Sequence, residues 1–309
     1  TELEAMEHDA VDGVLEGGAG EEERAEAAAL QDASEEEQGA LVTIAFAVEF
    51  VVEALYDGNG PQLGPWLVDM LPGLLKIQEL IPSKLQFVSL SARKALSSLR
   101  YLPLYSLDLV QKVERVLCEA TSSDLWSERA AALVFMQCFW FHAFFMLAHQ
   151  SLVEAVVERL SDSKLEVREL ASSTLSGLLK GMREEHSRAL LASFLTKAKT
   201  LLPSRRRWAT RDVPAETSTS LPVRHAAVLG LRAFVLSSPY DVPAWLPEVL
   251  MALVRLAPEP PPVSTTVTKT LAEFRRTHEE VVLASVRDVL TSEQWEAIRD
   301  VAHPVTYFV

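Results

Sequence analysis

Two cysteines, Cys118 and Cys138, are all that this chain of 309 residues contains. That excludes a disulfide framework and favours two buried thiols held in a reducing compartment. Glycine is scarce too, at twelve residues, and no stretch has the glycine spacing that cradles a phosphate. There is no G-x-S-x-G and no H-E-x-x-H. The seven histidines (His8, His142, His149, His186, His225, His278 and His303) are scattered, none at metal-binding spacing with carboxylate or cysteine partners. "SDSK", residues 161–164, carries the letters of a Ser-x-x-Lys nucleophile without its companion motifs. An enzyme is therefore the poorest class of reading: no catalytic residue, metal or required cofactor is expected.

Basic residues are nearly missing from one stretch and charge of either sign from another. The formal net charge is −14, but residues 1–39 hold fourteen of the 43 acidic residues and one of the 29 basic ones, a charge of −13 against −1 for residues 40–309. Such a segment, rich in acids and small residues and poor in large apolar ones, cannot bury enough surface to offset its ordering entropy. It is expected to be a disordered acidic region. The second place is residues 131–150, "AALVFMQCFWFHAFFMLAHQ", with no Asp, Glu, Lys or Arg. That approaches a bilayer-spanning length, but Gln137, His142 and His149 interrupt it and no Lys/Arg asymmetry flanks it, so a helix buried among other helices is the favoured reading. The chain starts at Thr1 with no methionine and no secretory pattern, and a fragment of a longer protein is the expectation.

From Ala40 onward apolar residues recur at spacings of three and four, with no period-two alternation. The expected helices run over about 40–56, 63–80, 84–101, 106–120, 126–148, 150–160, 164–181, 185–201, 222–237, 243–257, 264–288 and 291–302. Short turns join most of them, so neighbours are antiparallel. "VERLSDSKLEVRELASSTLSGLL" shows a recurring unit of a helix, a turn with Asp162, and a second helix opening on Val167 and Arg168 and continuing with Ala171, Leu175 and Leu178. "LPVRHAAVLGLRAFVL" repeats its second half with Val223, Arg224, Ala227 and Leu231. This is the pattern of HEAT repeats, helix pairs of about 40–47 residues that bury their apolar faces only by stacking. The fold class is all-α: a solenoid of HEAT-like helix pairs over residues 40–302, preceded by the acidic segment 1–39 and followed by a tail, 303–309. Asp162 and Arg168 are expected to bind backbone groups and each other. An uncapped end of such a stack exposes an apolar layer, and the isolated chain is expected to be poorly soluble or to self-associate.

Periodicity fails in "PSRRRWATRDVPAETSTSLP", residues 203–222, where Arg205, Arg206 and Arg207 follow Lys197 and Lys199. One short basic cluster with Trp208 does not make a nucleic-acid surface. A nuclear-import signal, a contact to an anionic small molecule and a solvated loop all fit it.

Three blocks, residues 165–179, 224–253 and 266–278, with the aromatic end "HPVTYFV", closely resemble the C-terminal region of the large HEAT-repeat proteasome activator family. The resemblance covers residues 151–309; residues 40–150 share only helical character with it. It implies an ATP-independent activator in the nucleus and cytoplasm, curled as a solenoid over the α-subunit ring of the proteasome core particle. Family members end in a hydrophobic residue, a tyrosine and any residue, inserted between two α subunits to help open the gate. Here Tyr307 holds the hydrophobic position, Phe308 the tyrosine position and Val309 the last. The physics of such an end is independent of the family: a free carboxylate pairs with a lysine, and flanking aromatics bury area at low entropic cost. Pro304 stops the preceding helix. Phe308 lacks the tyrosine hydroxyl, a loss of about 1 kcal/mol.

The resemblance also implies acetyl-lysine recognition, as on acetylated histones, through an Asn-Phe pair just after the "SGLL" helix. The matching positions are Met182 and Arg183, which supply neither an amide nor a ring. Family domes bind inositol phosphates at openings lined by Lys and Arg, for which Arg205, Arg206 and Arg207 are this chain's offer. Beside this stands a generic helical-repeat scaffold binding some other protein, with the tail incidental.

Overall fold

The computed structural model describes residues 35–80, 86–146, 150–201, 221–278 and 289–302, and they are helical with no strand among them. Twelve helices are labelled here: α1 Glu35–Tyr56, α2 Leu67–Leu80, α3 Gln86–Leu99, α4 Leu107–Ala120, α5 Trp126–His142, α6 Gln150–Arg159, α7 Leu165–Leu179, α8 Glu184–Leu201, α9 Leu221–Ser237, α10 Leu246–Leu256, α11 Val263–His278 and α12 Ser292–Ala302. The chain divides into two compact units, residues 1–102 and 103–309.

In the first unit α3 packs against both α1 and α2. Its core is Leu67, Leu71 and Leu75 of α2 with Ala92, Ala95 and Leu99 of α3, closed by Val48 and Val51 of α1. The small Ala92 and Ala95 let the α3 backbone approach its neighbours closely. The "DGNG" break ends α1 by a Schellman closure: Gly58 takes φ 77°, open to glycine without a Cβ penalty, and Asn59 N–H donates to Ala54 O at 2.9 Å. A short helical turn, Gly60–Leu63, and a 3-10 turn, Gly64–Trp66, then lead into α2, which therefore starts later than the apolar periodicity suggests.

The second unit is built from the packed helix pairs α4/α5, α6/α7, α8/α9 and α10/α11. The second members stand side by side, α5 against α7, α7 against α9 and α9 against α11, and α12 closes on α10 and α11. This is HEAT-like stacking. Small residues allow it: Gly177 lies so near Gln137 of α5 that a Cβ would stand 3.3 Å from the amide nitrogen, and a Cβ on Gly230 would stand 2.5 Å from the Phe194 ring. Polar side chains add bonds from helix to helix. Thr174 Oγ1 donates to Leu133 O of α5 at 3.2 Å, and Ser172 Oγ donates to Leu229 O of α9 at 2.8 Å.

The uncharged stretch does not run as one helix. α5 ends at His142, with a 3-10 turn at Phe144–Met146, and Leu133, Phe135, Met136, Phe139 and Trp140 are buried while Phe141 and Phe145 are exposed. Among the described residues no helix is long and apolar enough to cross a membrane. The acidic segment is shorter than composition suggests, because α1 already begins at Glu35; residues 1–34 lie outside the described residues. Cys118 and Cys138 are free thiols, half-buried rather than fully buried. The expected helix 264–288 is described as far as His278, and residues 279–288 lie outside the description.

Candidate functional site

The last repeats of the second unit carry two groups of aromatic rings, one of which meets α12. Phe234 of α9 meets Phe194 of α8 edge-on at 6.5 Å and Trp245 at 5.6 Å. Phe274 of α11 stacks on His278 at 4.3 Å and takes Trp295 of α12 edge-on at 6.3 Å. His278 is buried: its Nε2 lies 3.0 Å from Asp241 O, tying the end of α11 to the turn before α10, and its Nδ1 lies 2.8 Å from the Thr277 hydroxyl. Ile298 and Ala302 of α12 face the core, as expected for apolar positions four apart on one helix face.

A reciprocal cap fixes the start of α12. Gln294 N–H donates to Thr291 Oγ1 at 3.2 Å and Thr291 N–H donates to Gln294 Oε1 at 3.0 Å, two otherwise orphaned donors satisfied at once. Thr291 is the N-cap. From Ala302 the chain passes to His303 and Pro304; the tail, with Tyr307, Phe308 and Val309, lies outside the described residues, as do Arg205, Arg206 and Arg207.

Met182 and Arg183 fall in the turn between α7 and α8, Met182 half-buried and Arg183 exposed. The neighbouring Gly181 sits under two rings of the α5 end: a Cβ there would stand 2.8 Å from Phe144 and 3.0 Å from Trp140 Nε1. Aromatic surface is thus present beside Met182, but no amide stands at either position.

Asp162 and Arg168 bind backbone groups, as expected, but their side chains do not pair with each other. Arg168 reaches only the backbone of Asp162, Nη1 donating to Asp162 O at 2.8 Å. The carboxylate instead takes a two-pronged pair of bonds from Arg129 of the preceding helix pair, Nε–H to Oδ2 at 2.7 Å and Nη2–H to Oδ1 at 2.8 Å, and the N–H of Lys164 at 2.9 Å. Arg129 also donates to the backbone oxygens of Ser123 and Asp124. Burial alone would raise the Asp162 pKa; the Arg129 and Lys164 hydrogen bonds and the Arg129 and Arg159 charges outweigh it and hold the carboxyl below its usual range. The signal for Arg129 was in the sequence: "SSDLWSER" carries Asp124 and Arg129 five apart, close to the six separating Asp162 from Arg168. The turns around this pair border an open cleft of about 500 Å³. It carries Asp124, Glu158 and Asp162 as well as Arg129, Arg159 and Lys164, a balance that selects neither anion nor cation.

Titratable groups elsewhere are tuned away from reactivity. Burial, then the Glu114 and Glu119 charges, pushes the Cys118 thiol up to about 11, the opposite of an activated thiolate. Burial, then the Arg168 and Arg232 charges, pushes His225 down to about 4, so it is neutral at pH 7, with Nε2 paired to Thr266 Oγ1 at 2.8 Å. No group of three or more His, Cys, Asp or Glu that could hold a metal ion occurs among the described residues.

Comparison with known proteins bears on this same end of the molecule. Residues 221–309 match the family model described as "Proteasome activator complex subunit 4-like, C-terminal". The proteasome activator subunit 4 of Arabidopsis thaliana is 32% identical over 263 residues, 84% of this chain and 14% of that protein. The proteasome activator complex subunit 4 of Homo sapiens is 40% identical over 181 residues, 55% of this chain and 10% of that protein, and that of Xenopus laevis 40% over 171 residues, 53% and 9%. The chain thus spans about one seventh or less of the length of these relatives. A match covering 84% of the chain also reaches well upstream of Ser151, so helical character is not all that the earlier residues share with these proteins. Helical pairing, the family match over residues 221–309 and the relatives agree: this chain is similar to the C-terminal region of proteasome activator complex subunit 4 proteins.

Proposed function

We propose that this chain is the C-terminal part of a non-enzymatic, ATP-independent proteasome activator. It docks on the α-subunit ring of the core particle through Tyr307, Phe308 and the Val309 carboxylate, and so promotes gate opening and degradation. The observation that carries the reading is the match of residues 221–309 to the C-terminal family model, together with the reciprocally capped helix α12 that leads toward the tail. The relatives' names supply the proteasome as partner. The tail supplies the chemistry: two aromatic rings to fill an apolar pocket and a carboxylate to pair with a lysine at its edge.

Binding of an inositol phosphate by Arg205, Arg206 and Arg207, and residence in the nucleus and cytoplasm, belong to the same proposal. Acetylated histones do not, since Met182 and Arg183 offer neither the amide nor the ring that such recognition uses. The test is peptide hydrolysis by purified core particle in the presence of a synthetic peptide of residues 303–309. Stimulation that disappears when the C-terminal carboxylate is amidated is the expected outcome. Absence of binding, or stimulation indifferent to amidation, contradicts the docking role.

A further inference from the structure

Where α7 meets α9, two buried side-chain nitrogens have no hydrogen-bond partner among the described residues: Arg168 Nε and His225 Nδ1. Arg168 is 6% exposed and His225 is fully buried. Ser172 of α7 donates to Leu229 O of α9 at 2.8 Å. Arg168 and His225 stand one turn earlier on those same two helices, close enough for the Arg168 charge to bear on the imidazole. Arg232 brings a second guanidinium to this seam, its Nη1 lying 3.2 Å from Ser172 Oγ.

A buried guanidinium is costly without a counter-charge, and two neighbours of Arg168 in the stack have one. Arg129, near the start of α5, pairs with Asp162 in the turn of the next helix pair, and Arg224, near the start of α9, pairs with Glu259 in the turn of the pair after it. Arg168 is the arginine between them, and among the described residues no carboxylate pairs with it; its hydrogen bond goes to Asp162 O. The sequence departs from the pattern at the same step: Asp162 precedes Arg168 by six residues, but Ser218 holds that place before Arg224. Of the carboxylates that bear on Arg232, Glu169 and Glu273, the second is already paired with Arg276. We propose that Arg168 Nε–H and His225 Nδ1–H bind a small monovalent anion, a halide, between α7 and α9. Thr266 is the positioning residue: its hydroxyl, 2.8 Å from His225 Nε2, donates to that nitrogen and keeps the ring proton on Nδ1. Burial of both donors leaves no room for a phosphate ester, so size selects the halide. The site uses no residue of the tail, so the inference stands or falls independently of proteasome docking.

The test is urea denaturation of the full 309-residue chain near neutral pH, with chloride replacing gluconate at constant ionic strength. For a site with a dissociation constant of about 10 mM, raising chloride from about 1 mM to about 100 mM is expected to lower the unfolding equilibrium constant about tenfold. Broadening of the chloride NMR signal by the folded chain, reversed by bromide, is the expected direct sign of binding. Thr266→Val, which keeps the volume and removes the positioning hydroxyl, is expected to weaken the chloride dependence at least about fivefold. Arg168→Gln is expected to abolish it; should that variant fail to fold, Thr266→Val carries the test. An effect of chloride no larger than that of gluconate, or one that Thr266→Val retains in full, overturns the proposal. So does a chloride effect lost on removing an exposed cation of α11, as in Lys269→Gln, which would assign it to surface screening.

Discussion

The two units hold their helices by different means. In the second, neighbouring helices are joined by apolar contact and by side-chain bonds that cross from one repeat to the next: Arg129 to Asp162, Thr174 to Leu133 O, Ser172 to Leu229 O, His225 to Thr266. Each such bond is satisfied only in one register, because a buried donor or acceptor left without its partner costs about 1–3 kcal/mol. In the first unit the core is a leucine and alanine interlock of α2 and α3, and α1 leaves an aromatic face uncovered. Polar bonds between repeats fix which helix follows which; an open apolar face specifies no register.

The comparison is broken most sharply at the Arg129–Asp162 pair. Asp162→Ala strands a buried guanidinium, and the expected loss in stability is about 3–5 kcal/mol, read as a large drop in the denaturant midpoint. Next is the close approach of α9 to α8. Gly230→Ala drives a methyl group into the Phe194 ring, which stands 2.5 Å from the Cβ position, and the expected cost is about 1–3 kcal/mol. Phe46→Asp, by contrast, alters a side chain that is 68% exposed and is expected to change stability by less than about 0.5 kcal/mol. If the Phe46 change proves as costly as the Gly230 change, the outer face of α1 is already covered in the isolated chain.

Acidity separates the units as well. His225 titrates near 4 in the folded chain, against about 6.5 when unfolded. Its neutral form is the one the fold accommodates, so its contribution is complete above about pH 6.5 and is lost as pH falls toward 4. Asp162, held below its usual range, adds a second loss at lower pH as its carboxylate is protonated through that depressed value. Chemical denaturation as a function of pH is expected to show the second unit weakening over this window. His225→Gln is expected to flatten the upper part of the loss and leave the lower part, which belongs to the carboxylates of Asp162 and Glu273.

What the sequence made legible was whatever is local. Apolar spacing located the helices, Gly58 marked the end of α1, and the Asp-turn-Val-Arg pattern marked the helix pairs. What it obscured depends on partners distant in the chain. Arg168, which opens the next helix of the repeat pattern, was the expected partner, but it reaches the Asp162 carbonyl while the carboxylate faces Arg129 of the previous pair. Only the stacking of one pair on the next brings those two together. The end of α5 was misjudged because a run of apolar residues carries no stop signal of its own; it stops at His142, where the packed layer ends and Phe145 reaches the surface. The tail lies outside the described residues, and the blocks that carry its resemblance fall in part within the family match over residues 221–309.

The central claim is that those last three residues do the docking. It is tested most directly by measuring core-particle peptide hydrolysis with the intact chain, with a chain lacking Tyr307, Phe308 and Val309, and with Phe308→Tyr. The expected result is stimulation by the intact chain, none by the truncated one, and a roughly fivefold gain in apparent affinity for Phe308→Tyr from a restored hydroxyl bond of about 1 kcal/mol. Equal stimulation by the intact and truncated chains would contradict it.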